Sequence, residues 1–261
     1  MNKIDAIFID LDGTLLTSKK EVSDENKKIL IRCLNQSIDV YLISGRPIFF
    51  VDAIADSIDS RCNRIGFNGA VLKIGKNIYE KSIDKDNLKK IWNIIQKNSI
   101  SKFYFKGINS VYCSDEDSRF TYSNLENEGK IHVYKNVKSL DSINNSIYKV
   151  LLIDENDNKL ESITEECHDF LSITSSHIHS LDIMEKNIQK GEIVKKICVQ
   201  NKYEKTISFG DGNNDISMLQ VTTFSFAMKN STNYIKNQVK YVTEYTNDED
   251  GVAKEIYKFV N

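Results

Sequence analysis

Residues 4–9 form a short and almost continuous apolar run, which leads directly into the sequence Asp-Leu-Asp-Gly-Thr at residues 10–14. An apolar run of this length is typical of a parallel strand that is buried on both faces of a sheet. Asp10 and Asp12 are two residues apart, which in an extended chain directs both side chains to the same side. Because ligands of open parallel sheets bind beyond the carboxyl ends of the strands, this pattern predicts a functional site here.

The two ends of the chain alternate strand and helix patterns. A helix is expected from about Asp24, with Ser23 as its N-cap. A strand at Asp39–Ile43 follows, and then a helix with Pro47 at its first position. Toward the carboxyl terminus we expect helices at residues 192–200, 213–220 and 252–260, and strands at residues 206–209, 223–227 and 239–242. This rhythm predicts an α/β fold with a parallel sheet covered on both faces.

The middle of the chain has a different pattern, in which aromatic segments alternate with segments rich in Asn and Ser. Strands are expected at residues 103–105, 110–113, 148–153 and 171–174, and helices at residues 86–97 and 158–170. His177 and His179 are expected to share one face of a further strand. We interpret residues 83–184 as a second α/β domain inserted into the first, so that the outer domain consists of residues 1–82 and 185–261.

Composition narrows the class of protein. The 35 Lys and Arg residues are interspersed with 37 Asp and Glu residues, which argues against a nucleic-acid partner. No apolar run approaches the roughly 18 residues of a membrane helix, and the apolar part of residues 1–12 is too short for a signal sequence. The 5 cysteines are widely spaced and include no Cys-x-x-Cys pair, which favours free thiols in a reducing compartment. We therefore expect a cytoplasmic protein without a membrane or obligate protein partner.

Three further clusters stand where strands end or helices begin. Ser-Gly-Arg at residues 44–46 follows the second strand, and Lys-Gly at residues 190–191 precedes the helix expected near Glu192. Gly-Asp-Gly-Asn-Asn-Asp at residues 210–215 follows the strand at residues 206–209. Each cluster alone has an ordinary explanation as a turn, a solvated lysine or an acidic loop. All of them, in this order and at these positions, predict one shared site at the sheet edge.

These clusters resemble the four motifs of the haloacid dehalogenase-like phosphatases. Asn-Gly-Ala at residues 68–70 and the segment at residues 247–253 are similar to the Cof-type branch in particular. The resemblance covers both ends of the chain, and the middle agrees in position and length more than in sequence. A minor departure is Asn-Ile-Gln at residues 187–189, where relatives more often have small residues. The resemblance implies a Rossmann-like core and an inserted α/β cap whose closure would exclude water and select the substrate.

The chemistry of such a site requires positive charge. A carboxylate that attacks a phosphate dianion at about 4 Å, in an effective dielectric near 20, meets roughly 8 kcal/mol of repulsion. Uncompensated, this repulsion would slow the reaction by about six powers of ten. Mg²⁺ suits the site because it binds through one or two carboxylates, the substrate phosphate and several waters.

The aspartates divide into predicted roles. Asp10 is the predicted covalent nucleophile. Asp10 and Asp211 are the expected direct metal ligands, together with the backbone carbonyl of Asp12. Asp215 is expected to act on the metal through water or by orienting Asp211. The side chain of Asp12 is the predicted acid/base group, which protonates the leaving alkoxide and then activates water.

Phosphate-binding groups come from the other clusters. Lys190 is predicted to be catalytic as the second cation and to bind phosphate. The residues expected to hold phosphate oxygens are Leu11, Ser44, the amide of Gly45, Lys190 and Asn214. The role of Arg46 is open between contacting the substrate and fixing its own loop.

The function predicted is a Mg²⁺-dependent phosphatase that hydrolyses a small phosphorylated metabolite, such as a sugar phosphate or a phosphorylated cofactor, through an aspartyl-phosphate. Related transport ATPases carry threonine at the position of Asp12, so aspartate there favours a phosphatase or a mutase. One alternative is a phosphomutase similar to the phosphomannomutases. Another is a non-catalytic phospho-acceptor module, against which Asp12 and the cap of about a hundred residues both argue. The sequence does not specify the metabolite.

Overall fold

The computed structural model describes residues 4–114, 131–175 and 178–260. The chain forms two compact units, the first made of Met1–Tyr79 with Gln189–Asn261 and the second of Glu80–Ile188. The sequence analysis places the bounds of the inserted segment at residues 83 and 184. Within the described residues, no helix is both long and apolar enough to cross a membrane.

The described strands are numbered in chain order. They are β1 (Ala6–Asp10), β2 (Asp39–Ile43), β3 (Asn63–Gly66), β4 (Val71–Ile74), β5 (Asn77–Glu80), β6 (Lys102–Lys106), β7 (Ser110–Cys113), β8 (His132–Tyr134), β9 (Lys149–Ile153), β10 (Leu171–Thr174), β11 (Ser180–Glu185), β12 (Thr206–Gly210), β13 (Phe224–Ala227) and β14 (Tyr241–Val242). The α-helices are Asp24–Asn35, Ile48–Ile58, Lys85–Lys97, Asp157–Cys167, Lys190–Asn201, Ile216–Leu219, Asn233–Lys236 and Gly251–Ile256. Strands and helices alternate at both ends of the chain.

The larger sheet has the strand order β14-β13-β12-β1-β2-β3-β4-β5. The neighbouring pairs from β14 to β3 are parallel, and β3 pairs with β4 in the antiparallel direction. In this register Asp10 lies beside Ile43, and Ile9 lies beside Phe209. The carboxyl ends of β1, β2 and β12 therefore meet at one edge. The predicted α/β class with a parallel-rich sheet is confirmed.

The burial of its strand residues explains why the larger sheet forms. All five residues of β1 are buried, as expected for a strand covered on both faces. Phe8 stacks on Tyr41 with a centroid separation of 4.8 Å, and both belong to a core cluster that includes Val194 of the helix Lys190–Asn201. The helix Asp24–Asn35 begins where expected, because the Ser23 side chain accepts a hydrogen bond from the backbone of Asn26.

The second unit contains a smaller sheet in the order β10-β11-β9-β6-β7-β8. All its described pairs are antiparallel except β7 with β8. Alternate residues of these strands, such as Phe103 and Phe105, pack with Ile91 and Ile95 of the helix Lys85–Lys97. Because side chains alternate along each strand, one face of this sheet is apolar and packs against helices.

Several local predictions were wrong. His179 lies in a turn with a φ of 57° and not on a strand, because β11 begins only at Ser180. Its Nδ1 atom lies 2.8 Å from Oδ1 of Asp157, while His177 lies outside the described residues. Pro47 is the N-cap of its helix and not its first residue, so it supplies an extended backbone before the first turn.

Candidate active site

Three loops begin at the shared edge of the larger sheet. Asp10 is the last residue of β1, Ser44 follows β2, and Asp211 follows β12. The parallel register places these chain ends on adjacent strands. The structure thus brings together three of the four clusters through strand pairing alone.

The fourth cluster arrives through the helix Lys190–Asn201, which begins at Lys190. The first turn packs closely, since a Cβ atom on Gly191 would lie 2.3 Å from the carbonyl oxygen of Ser217. This contact leaves no room for a side chain at residue 191. The close packing of the first turn places the Lys190 side chain in the site. The sequence analysis placed the helix start two residues later, near Glu192.

Lys190 is fully buried and forms two ion pairs. Its Nζ atom lies 2.6 Å from Oδ1 of Asp10 and 2.6 Å from Oδ1 of Asp215. Burial disfavours the ammonium, but the two carboxylates outweigh that effect and raise the pKa of Lys190 above its usual value. Lys190 is therefore a fixed positive charge between the ends of β1 and β12.

The carboxylates of Asp10, Asp211 and Asp215 form a cluster whose oxygen atoms lie within 4.8 Å of one another. Burial, followed by the charge of Asp215, raises the pKa of Asp10 well above its usual value. The same two causes, in the same order, raise the pKa of Asp211 to about 6. These carboxylates resist ionising together, and an all-oxygen donor set of this kind fits a hard divalent cation. The side chain of Asp12 is not part of this cluster.

Asp215 also organises its own loop. The backbone N–H groups of Asp211 and Gly212 donate to Oδ2 of Asp215 at 3.0 and 2.9 Å. Since Oδ1 of Asp215 binds Lys190, both oxygens of this carboxylate have partners within the protein. Of the two roles expected for Asp215, these contacts favour orienting Asp211.

Asp12 is held by two cations. Arg46 donates from Nε to Oδ2 and from Nη2 to Oδ1, each at 2.5 Å, and Nζ of Lys20 lies 2.8 Å from Oδ1. Burial raises the pKa of Asp12, but hydrogen bonds from Arg46 and Lys20 outweigh it and lower the pKa. For Arg46, the geometry favours the loop-fixing alternative. Lys20 carries no motif and was missed, because its contact with Asp12 depends on a turn that only the structure reveals.

Two of the predicted phosphate-binding residues, Gly45 and Asn214, lie beside the Asn68 side chain. A Cβ atom on Gly45 would lie 3.0 Å from Oδ1 of Asn68, and Nδ2 of Asn214 donates to the same oxygen at 3.1 Å. Ser44 is buried, and its Oγ accepts from the amide of Arg46 at 3.1 Å. Asn68, in the Asn-Gly-Ala segment, thus connects the loop after β2 with the loop after β12, a role that sequence reasoning did not assign.

Leu11 has a fully buried side chain, so that only its backbone is available to a phosphate. The neighbouring Gly13 has a φ of +72°, and a Cβ atom there would lie 2.3 Å from Oδ2 of Asp211. Oγ1 of Thr14 donates to Oδ1 of Asp211 at 3.2 Å. The loop after β1 therefore packs directly against the Asp211 carboxylate, which explains the glycine.

The sequence model of the haloacid dehalogenase-like hydrolases matches residues 7–256. The match spans almost the whole chain, and the site described above lies within it. The chain belongs to this family of hydrolases, and its predicted place in the Cof-type branch is confirmed.

Curated relatives extend this finding. A phosphatase of Bacillus subtilis is 29% identical over 279 residues, which cover 95% of this chain and 96% of that protein. A 5-amino-6-(5-phospho-D-ribitylamino)uracil phosphatase of the same organism is 27% identical over 275 residues, with 95% of each chain covered. A solved haloacid dehalogenase-like hydrolase from B. subtilis is 25% identical and superposes with a TM-score of 0.85 over 97% of this chain and 99% of its own. The predicted enzyme class, a phosphatase of this family, is confirmed.

We predict that Gly13→Ala abolishes most activity whereas Gly75→Ala does not. Both glycines have positive φ, so each substitution costs about 1–2 kcal/mol of stability from the backbone alone. Only at Gly13 does the new methyl group collide with Asp211, since nothing lies within 4 Å of the Cβ position at Gly75. A displacement of this kind in a site side chain costs on the order of a hundredfold in rate.

The measurement combines kcat/KM for para-nitrophenyl phosphate with urea unfolding of both variants. Similar losses of stability with unequal activity support the close contact between Gly13 and Asp211. Equal activity in the two variants contradicts it.

Proposed function

We propose that this phosphatase is Mg²⁺-dependent and hydrolyses a small phosphorylated metabolite through a covalent aspartyl-phosphate on Asp10. The observation that carries the proposal is the cluster of Asp10, Asp211 and Asp215 around a single buried lysine. One ammonium offsets only part of this negative charge. A divalent cation completes the balance and prepares the site for a phosphate dianion.

Asp10 and Asp211 would hold the Mg²⁺ ion, with the backbone carbonyl of Asp12, while Asp215 orients Asp211. When bound, the ion supplies positive charge that offsets the repulsion between the Asp10 carboxylate and the phosphate and stabilises the transferring phosphoryl group. The donor chemistry of the cluster fits, because carboxylate and carbonyl oxygens are the ligands that Mg²⁺ prefers.

In the first step, a carboxylate oxygen of Asp10 attacks the phosphorus atom. A bond forms between Asp10 and phosphorus, the ester bond breaks, and the leaving oxygen takes a proton from Asp12. Lys190 fixes the attacking carboxylate through its 2.6 Å contact. The residues that would hold the phosphate oxygens are the backbone of Leu11, Ser44, the amide of Gly45, Lys190 and Asn214.

In the second step, Asp12 removes a proton from water as the water oxygen attacks the phosphorus atom. The bond between Asp10 and phosphorus breaks, inorganic phosphate is released, and the Asp10 carboxylate is restored. The contacts from Arg46 and Lys20 fix the orientation of the Asp12 carboxyl group, which is required both for giving a proton in the first step and for taking one in the second.

The family and the relatives support the proposed substrate class. The name of the Bacillus relative specifies a small phosphorylated ribityl compound, which supports a sugar phosphate or a phosphorylated cofactor as the substrate here. We assign the unit Glu80–Ile188 the part of a cap that selects the substrate, an assignment supported by its insertion between the two segments of the first unit. We further propose a cytoplasmic location, and the balanced charges argue against a nucleic-acid partner.

The experiment that tests the proposal is a phosphate-release screen over phosphorylated metabolites in the presence of Mg²⁺. Inorganic phosphate should appear faster than any isomerised sugar phosphate. The reverse order would identify a phosphomutase, because a mutase retains the phosphoryl group.

We predict that hydrolysis of para-nitrophenyl phosphate is lost in excess chelator and restored by added Mg²⁺. The reason is the unbalanced charge of the three clustered carboxylates. Asp211→Asn, which removes one of the proposed ligands, should raise the Mg²⁺ concentration for half-maximal rate by at least about tenfold. Full activity in excess chelator would contradict the metal assignment.

We predict that Asp10→Asn and Asp12→Asn fail differently with acetyl phosphate, whose leaving group needs little protonation. Asp10→Asn removes the atom that forms the intermediate and should carry no phosphate. Asp12→Asn keeps that atom but lacks the base for the hydrolytic water, so phosphoenzyme should accumulate.

Intact-protein mass spectrometry after mixing with acetyl phosphate and Mg²⁺ measures both variants. A label on Asp10→Asn alone would show that the two roles are reversed. If neither variant carries covalent phosphate, the division of roles between Asp10 and Asp12 loses its support.

A further inference from the structure

The loop after β1, residues 11–22, carries both Asp12 and Lys20, whose side chains contact each other. We call it the β1 loop. Isolated bridges join Leu16 to Asp12 and to Val22, so the loop folds back on itself as a compact unit. Most of its length lies outside helices and strands. The orientation of Asp12 therefore depends on the contacts that hold this loop in place as well as on its own contact with Arg46.

Three side chains more than two hundred residues away in the sequence bind the backbone of this loop. Nδ2 of Asn230 donates to the carbonyl oxygen of Gly13 at 2.8 Å. Nδ2 of Asn247 donates to the carbonyl oxygen of Leu16 at 2.9 Å. Oδ1 of Asp248 accepts from the amide of Ser18 at 2.7 Å. The contacts recur along the loop, at residues 13, 16 and 18.

The three side chains also form a connected group. Oδ1 of Asn230 accepts a hydrogen bond from the backbone amide of Asn247 at 3.1 Å. The Asn230 side chain thus donates a hydrogen bond to the β1 loop and accepts one from the segment that contains Asn247 and Asp248. A fourth residue, the fully buried Asn26, accepts from the amide of Ala253 at 3.0 Å. The segment at residues 247–253 is thereby fixed on the side that faces the loop.

Core stability alone does not account for these residues. Asn230 and Asp248 are exposed, so they add little buried apolar area. Their bonds end on the loop that bears Asp12. Proton transfer requires the donor atom to be within hydrogen-bond reach of the leaving oxygen, and small displacements of a positioned group cost much rate.

We propose that Asn230, Asn247 and Asp248 are positioning residues that hold the β1 loop so that the Asp12 carboxyl group can protonate the leaving oxygen. The inference rests on the acid/base role proposed for Asp12. It assigns a role to the Cof-type segment at residues 247–253, which the site itself does not use.

A leaving-group comparison tests this role. Phenol is a weaker acid than para-nitrophenol, so phenyl phosphate depends more on proton donation than para-nitrophenyl phosphate does. The ratio of kcat/KM for the para-nitrophenyl ester to that for the phenyl ester therefore reports on Asp12 during the phosphorylation step. A loss of stability or of folded enzyme lowers both values by the same factor and leaves the ratio unchanged.

The variants are Asn230→Ala and Asp248→Ala, both at exposed positions where folding should survive. Asp248→Asn retains a side-chain oxygen that can accept from the amide of Ser18. Asn201→Ala is the matched control, because its exposed amide donates to the carbonyl oxygen of Ile197 at 2.9 Å, at the opposite end of the helix from Lys190.

We expect the ratio to rise by about tenfold in Asn230→Ala and Asp248→Ala, a fraction of the full effect of general acid catalysis. It should return toward the wild-type value in Asp248→Asn and stay unchanged in Asn201→Ala. An active wild-type enzyme with an unchanged ratio in both alanine variants overturns the positioning role alone. A wild-type enzyme that hydrolyses neither ester overturns the proposed function, and the inference with it.

Discussion

The buried contact of Lys190 with Asp10 and Asp215 is the constraint on which the site depends. It joins the end of β1 to the loop after β12 and to the first turn of a helix, three elements that are distant in sequence. Removing one partner of a buried ion pair typically costs about 3–5 kcal/mol, because the other charge is left without compensation. A site arranged in this way keeps Asp10, the proposed nucleophile, in a fixed place before any substrate arrives, which is the condition for efficient positioning.

The distribution of charge distinguishes the four carboxylates of the site. The carboxylates of Asp10, Asp211 and Asp215 lie around the ammonium group of Lys190. Negative charge therefore exceeds positive charge at the centre of the site. Asp12, by contrast, is balanced by Arg46 and Lys20 at its edge. The structure therefore gives Asp12 a different electrostatic environment from that of the three clustered carboxylates, and this difference supports different chemical roles for Asp10 and Asp12.

Much of this could be predicted from the sequence, because the motifs follow buried parallel strands whose ends must meet. The bounds of β2 and the clustering of Asp10, Lys190 and Asp211 are examples. Lys20 and Asn230 could not be found, and the role of Asn68 could not be assigned, since each acts through contacts between segments with no periodic pattern. Short strands such as β3 and β5 were also missed, because four residues offer little periodicity.

The central claim is that Asp10 carries the phosphoryl group between substrate and water. Phenyl thiophosphate made chiral with two oxygen isotopes, and hydrolysed in water enriched in the third, reports the stereochemical course at phosphorus. Transfer through Asp10 consists of two in-line displacements, so we expect net retention of configuration. Net inversion would show a single direct attack by water and would contradict the covalent role of Asp10.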